Sequence, residues 1–251
     1  MKHKRNPFFW VPNTITAMNL VSGTIAIFLG LEGALVAAAL LILAAAAFDF
    51  LDGMSAHLLK SYSEIGKQLD SLADLVSFGL APAALTASML RCSYSQELSA
   101  QEAAGTCFMQ WSWLLPVLLI PVAGAFRLAK FNVDTRQTKN FLGLPIPANA
   151  MFYAALALVV ALGNHQAVNE LILNPWFLQI VILLFSGLMI CELPMFSMKF
   201  RHLKWSGNEI RFIFLALCLV LLISLQLYAF PLVILSYILL SLGMAFRNLK
   251  N

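Results

Sequence analysis

The sequence predicts an all-α fold, a polytopic transmembrane helical bundle of about eight spans, on three observations. Of 251 residues, 61% are apolar and 11% are charged, against about 45–50% and about 25% in an ordinary soluble domain. The apolar residues gather into runs long enough to cross a bilayer, which takes about 20 residues per helix. The basic residues sort to one side of those runs. A water-soluble fold of this size has too little interior to hide so much apolar surface. A soluble enzyme, a secreted disulfide scaffold and a β-barrel are therefore excluded. The net charge of +4 is too small and too scattered to suggest a nucleic-acid partner.

Charges and turn residues divide the chain into apolar runs at roughly 14–30, 33–50, 70–90, 113–130, 146–163, 176–195, 211–226 and 229–246. The first two are separated by Leu31-Glu32-Gly33, which predicts a tight helical hairpin. The last two break near Tyr228 to Pro231 and can also be read as one kinked element. Met1-Lys2-His3-Lys4-Arg5 is basic, but the run that follows lacks a clear small-residue cleavage site, so it reads as a retained span. The whole chain, 1–251, reads as one integral-membrane domain.

With eight spans, 15 of the 16 Lys and Arg residues fall on one side and Arg91 alone on the other. The positive-inside rule then puts both termini in the cytoplasm. Cys92 and Cys107 share the one long outward loop, roughly 91–112, where an oxidising compartment would let them pair. The four His and four Cys show no zinc spacing.

The aspartates carry the chemical information. The chain has five, and four lie within 26 residues: Asp49, Asp52, Asp70 and Asp74. Spacings of three and four place each pair on one face of its helix. The linker 54–68 returns the chain to the same side, so both pairs are expected at the cytoplasmic ends of adjacent antiparallel helices. Converging carboxylates repel, and protons or cations must compensate them. Hard oxygen ligands of this kind suit Mg²⁺ or Mn²⁺, and two such ions can clamp a diphosphate. Three readings stand at this level: metal-assisted phosphate chemistry, a proton- or cation-coupled transport path, and helix capping by Asp70-Ser71 and Asp52-Gly53.

The string Asp49-x2-Asp52-Gly53-x2-Ala56-His57-x8-Gly66-x3-Asp70-x3-Asp74 resembles the signature of the CDP-alcohol phosphotransferases, D-x2-D-G-x2-A-R-x8-G-x3-D-x3-D. Seven of its eight fixed positions match; the departure is His57, where that family has Arg. Val11-Pro12-Asn13-Thr14-Ile15-Thr16 resembles the nucleotide-contacting entry segment. The stretches 69–82, 126–132 and 141–147 are similar to the phosphatidylserine synthase branch. Beyond about residue 150 the likeness rests on hydropathy and on Ser197 to Phe200.

The resemblance implies a six-helix core plus two added helices, often homodimeric. It assigns the catalytic region to 11–165 and the additional helices to 166–251. The implied reaction is attack by the L-serine hydroxyl on CDP-diacylglycerol, releasing CMP and leaving phosphatidylserine in a cell (inner) membrane. Sister enzymes would use glycerol 3-phosphate or inositol phosphate as acceptor. The implied metal ligands, for two Mg²⁺ or Mn²⁺ ions, are Asp49, Asp52, Asp70 and Asp74, with Asp74 also taking the serine proton. The implied nucleotide–lipid contacts are Asn13, Thr16, Gly53, Ala56, His57, Ser63 and Gly66. Arg127 and Lys130 are candidates for the serine carboxylate, with membrane anchoring as their plain alternative.

Overall fold

The computed structural model describes residues 10–61, 63–97, 114–133, 141–195 and 208–249. The basic residues 2–5, Cys107 with its proposed pairing, and Ser197 to Phe200 lie outside the described residues. Helix α1 (Trp10–Leu31) opens with Pro12 in its first turn, where a missing N–H costs nothing. Gly33, at φ +84°, turns the chain into α2 (Leu35–Leu58), as the hairpin reading expected. Helix α3 (Glu64–Asp74) runs through a π-helical turn (Leu75–Leu80) into α4 (Ala81–Glu97). Pro82 follows that turn directly; having no N–H to give, it breaks the regular ladder, and the Ala81 N–H reaches back to the Val76 carbonyl.

A 3-10 turn at Leu115–Leu118 leads into α5 (Leu119–Val133). Then come α6 (Ile146–Leu162), a short α7 (Gln166–Ile172) and α8 (Pro175–Ile190). The chain closes with α9 (Glu209–Leu225) and α10 (Ala229–Leu249), joined by a 3-10 turn at Gln226–Tyr228. A two-residue antiparallel ladder pairs β1 (Phe141–Leu142) with β2 (Pro194–Met195).

Among the described residues, five helices are long and apolar enough to cross a membrane, or six if one bent pair counts as a span, rather than about eight. Each discrepancy has a length argument behind it. The run at 146–163 becomes a 17-residue helix, rising about 26 Å at 1.5 Å per residue, short of a hydrocarbon core about 30 Å thick. The run at 176–195 yields only the 16 residues of α8, bent by 60° from α7. The last two runs form one 37-residue apolar stretch, Glu209–Ala245. It bends back at Gln226, whose φ is +47°, so that the Phe214 and Tyr237 rings lie 6.0 Å apart. The expected core of six helices plus two is accordingly not the architecture. Exposed Phe28, Leu40, Phe126, Ile180, Leu219 and Ile223 make an apolar exterior that only lipid accommodates. The protein is an integral membrane protein.

Small residues set the packing. Ala38, Ala39, Ile42 and Ala45 are fully buried along one face of α2, and Ser22 Oγ donates to the Leu41 carbonyl across to that helix (2.9 Å). On α1, a Cβ added at Gly23 would lie 2.1 Å from Ser77 Oγ and 2.6 Å from Ser77 Cα. The π-helical turn therefore sits on bare backbone of α1, the close approach that glycine permits between membrane helices. Ser77 Oγ seals the contact by donating to the Asn19 carbonyl (3.0 Å).

Gly23→Leu is expected to push these elements apart at a cost of about 1–3 kcal/mol, lowering the thermal midpoint of the purified protein in detergent. Gly187→Ala, where an added Cβ meets nothing within 4 Å, leaves the midpoint unchanged or slightly raised.

Candidate active site

Three helices supply the site. Helix α2 continues to Leu58, so Asp49 and Asp52 lie well inside it rather than at its end. On α3 the N-cap is Ser63, whose side chain accepts from the Gly66 N–H (2.9 Å), and Asp70 and Asp74 follow two and three turns later. None of the four aspartates caps a helix through its side chain, Asp74 preceding the π-helical turn without a capping bond. The capping reading is thereby excluded, and Ser63 takes that role instead.

Asp49, Asp70 and Asp74 each offer a carboxylate oxygen within 4.8 Å of the other two. Asp74 is buried; Asp49 and Asp70 are half-buried. Asp70 Oδ1 is a buried atom without a hydrogen-bond partner among the described residues. Hard anionic oxygens crowded together, one of them unpartnered, could coordinate a single divalent cation. Asp52 is not one of this group of three; its Oδ2 accepts from Thr16 Oγ1 at 2.7 Å. Asp74 Oδ1 accepts from Asn19 Nδ2 at 3.2 Å. Helix α1 thus fixes one carboxylate from each acidic pair.

Beside the triad lies a cleft of about 200 Å³, lined by α1, α2, the linker and α3. Of the seven positions expected at a nucleotide, Asn13, Thr16, Gly53, Ala56, Ser63 and Gly66 line it, together with Asp52 and Asp70. An added Cβ at Gly53 would meet nothing within 4 Å, so its missing side chain leaves room within the cleft. At Gly66 the reason is contact: a Cβ there would lie 2.9 Å from Asn13 Oδ1 and from Ser63 Oγ. His57 is exposed and is not among the lining residues.

Arg127 and Lys130 do not line the cleft either. Arg127 is buried on α5; its Nε donates to the Leu144 carbonyl (3.3 Å) and its guanidinium lies 5.7 Å from the Phe131 ring centroid. Lys130 is paired with Glu192 at 2.6 Å. Five residues after Arg127, Asn132 Nδ2 donates to Ser71 Oγ (2.9 Å), which docks this end of α5 against α3 next to Asp70.

Sequence reasoning missed three residues. Asn19 completes a polar series, Asn13, Thr16 and Asn19, spaced by three along a largely apolar helix; that periodicity was a usable signal. Ser61 and Lys67 line the cleft, and nothing in their local sequence distinguishes them from linker residues.

Comparison with known proteins agrees with this geometry. The family pattern described as CDP-alcohol phosphatidyltransferase matches residues 9–187. A CDP-diacylglycerol–serine O-phosphatidyltransferase of Bacillus subtilis is 32% identical over 200 residues, covering 80% of this chain and 94% of that one. One from Helicobacter pylori is 32% identical over 203 residues, covering 80% and 77%. An archaetidylserine synthase of Methanothermobacter thermautotrophicus is 37% identical over 150 residues, covering 59% and 58%. The matched span contains both acidic pairs and every lining residue of the cleft, and on that ground the chain belongs to the CDP-alcohol phosphatidyltransferase family.

Proposed function

We propose that this protein transfers the phosphatidyl group of CDP-diacylglycerol to the hydroxyl of L-serine, releasing CMP and forming phosphatidylserine. The observation that carries the chemistry is the triad of Asp49, Asp70 and Asp74, of which Asp70 lines a cleft together with six of the seven expected contact positions. The choice of serine is supported by relatives from bacteria and an archaeon whose names specify serine.

In this reading Asp49, Asp52, Asp70 and Asp74 hold two ions, Mg²⁺ or Mn²⁺. When bound, such ions neutralise negative charge that grows on the departing CMP phosphate. Asp74 takes the serine proton as the hydroxyl oxygen bonds to the lipid-bearing phosphorus and the bond to CMP breaks. A hydroxyl is a weak nucleophile until a positioned base accepts its proton, and Asn19 holds one oxygen of Asp74 in place for that task. Asn13, Thr16, Gly53, Ala56, Ser63 and Gly66 receive the nucleotide. Arg127 is the better placed candidate for the serine carboxylate, being buried on a helix docked beside Asp70 through Asn132 and Ser71; Lys130 shares the role only by releasing Glu192.

The site faces the cytoplasm of a cell (inner) membrane in this reading, with both termini on the same side. Lys60, Lys67, Arg127 and Lys130 lie toward the acidic end of their helices, and Arg91 lies toward the opposite end of its own, which agrees with a positive-inside arrangement. A homodimer rests on the family resemblance alone.

Purified protein supplied with CDP-diacylglycerol and labelled serine, glycerol 3-phosphate or inositol phosphate is expected to form labelled lipid from serine only. Label entering lipid from another acceptor would reassign the substrate. EDTA is expected to abolish CMP release, and added Mn²⁺ or Mg²⁺ to restore it. Asp74→Asn should lower kcat by about 10²–10⁴-fold, the range for loss of a positioned base; CMP release that persists in this variant would remove Asp74 from the mechanism.

A further inference from the structure

The cleft carries an electrostatic problem that the signature residues leave unsolved. Its ligand in the reading above is a diphosphate, and the charged signature residues lining the wall, Asp52 and Asp70, are both acidic. Cations bound at the triad compensate the acidic side. The rest of the diphosphate needs a fixed positive group, and the signature position that would supply it, 57, holds an exposed histidine outside the lining. Lys60, one turn on, is also exposed and off the cleft, on a residue with φ +49°.

Lys67, itself exposed, is the only cation among the described residues lining the cleft. It stands on the first turns of α3, immediately after Gly66, where the absent side chain lets Asn13 and Ser63 close against the backbone. Its ammonium has no ion pair or hydrogen bond with any described residue, in contrast to Lys130, which is tied to Glu192. Ser61 lines the same cleft, is 92% buried by its 8% exposure, and has an Oγ without a hydrogen-bond partner. A buried hydroxyl in that condition costs free energy unless something in the cleft bonds to it. A charged donor and a neutral donor lining one cleft are the complement of a pair of phosphates.

We propose that Lys67 and Ser61 bind the diphosphate of the nucleotide lipid, Lys67 supplying the fixed positive charge that position 57 does not. This rests on the transferase reading of the cleft. The chain keeps the anion contact and moves it ten residues along, from the end of α2 to the start of α3. Such a move is available because both helix ends border the same cavity. Lysine suits the position as a compact charge on a flexible stem, able to follow the phosphates as the leaving group departs.

The test measures binding of CDP and of cytidine to the full-length protein in detergent with Mn²⁺ present, alongside steady-state kinetics with CDP-diacylglycerol. Lys67→Met is expected to weaken CDP by about tenfold to a hundredfold, the scale of one charge-assisted hydrogen bond, and to leave cytidine within about twofold. It should raise KM for CDP-diacylglycerol more than it lowers kcat. Lys67→Arg keeps most of the CDP affinity, and Ser61→Ala shows a smaller loss confined to CDP. The loss in Lys67→Met should exceed that in His57→Ala. Unchanged CDP binding in Lys67→Met, an equal loss of cytidine, or a larger loss in His57→Ala overturns the proposal while leaving the transferase reading intact. A wild-type protein that binds no CDP overturns both.

Discussion

Like charges held at contact distance are the constraint around which this molecule is organised. Two carboxylates 4 Å apart repel by about 4 kcal/mol at an effective dielectric near 20, and here three meet within 4.8 Å. A bundle that tolerates this arrangement must clamp it from outside. Helix α1 does so twice, through Thr16 on Asp52 and Asn19 on Asp74. The clamp depends on close contact between α1 and the π-helical turn after Asp74, where Gly23 carries no side chain and Ser77 bonds the Asn19 carbonyl. Asn19 therefore links packing to chemistry: its backbone anchors the turn and its side chain holds the acid just before it.

The same economy appears in the cleft. Gly53 and Gly66 both lack side chains for the benefit of the cavity, but by different means. One leaves open volume, and the other allows Asn13 and Ser63 to approach the α3 backbone. Lipid provides little hydrophobic driving force between helices, so close fit and interhelical hydrogen bonds carry the association. The contacts Ser22 to Leu41, Ser77 to Asn19 and Asn132 to Ser71 are of that kind, and two of the three end next to a site aspartate or its clamp.

Two cations at the end of α5 illustrate how a shared helix can hold unlike environments. Arg127 is buried beneath the Leu144 carbonyl and the Phe131 ring, and three residues later Lys130 is exposed and paired with Glu192. The pair joins the end of α5 to the segment after α8, next to the short ladder of Phe141–Leu142 with Pro194–Met195. Several segments distant in sequence thus meet where the acidic end of the bundle opens.

What the sequence determined by itself was chemistry that local spacing encodes. Asp49, Asp52, Asp70 and Asp74 were legible as paired acids because three- and four-residue steps share a helix face. Gly53, Ala56 and Gly66 were legible through the spacing of a longer signature, and Asn13, Thr16 and Ser63 through the likeness of their own segments to the family. Tertiary structure decided what depends on contacts between distant segments: that Thr16 bonds Asp52, that Asn19 holds Asp74, that Lys67 borders the cleft and His57 does not. It also decided the span count, because hydropathy measures the length of an apolar run and not whether the chain bends within it, as it does between α7 and α8. Spacing along a helix is a property of a few consecutive residues; the partner across the groove is set by how whole helices pack.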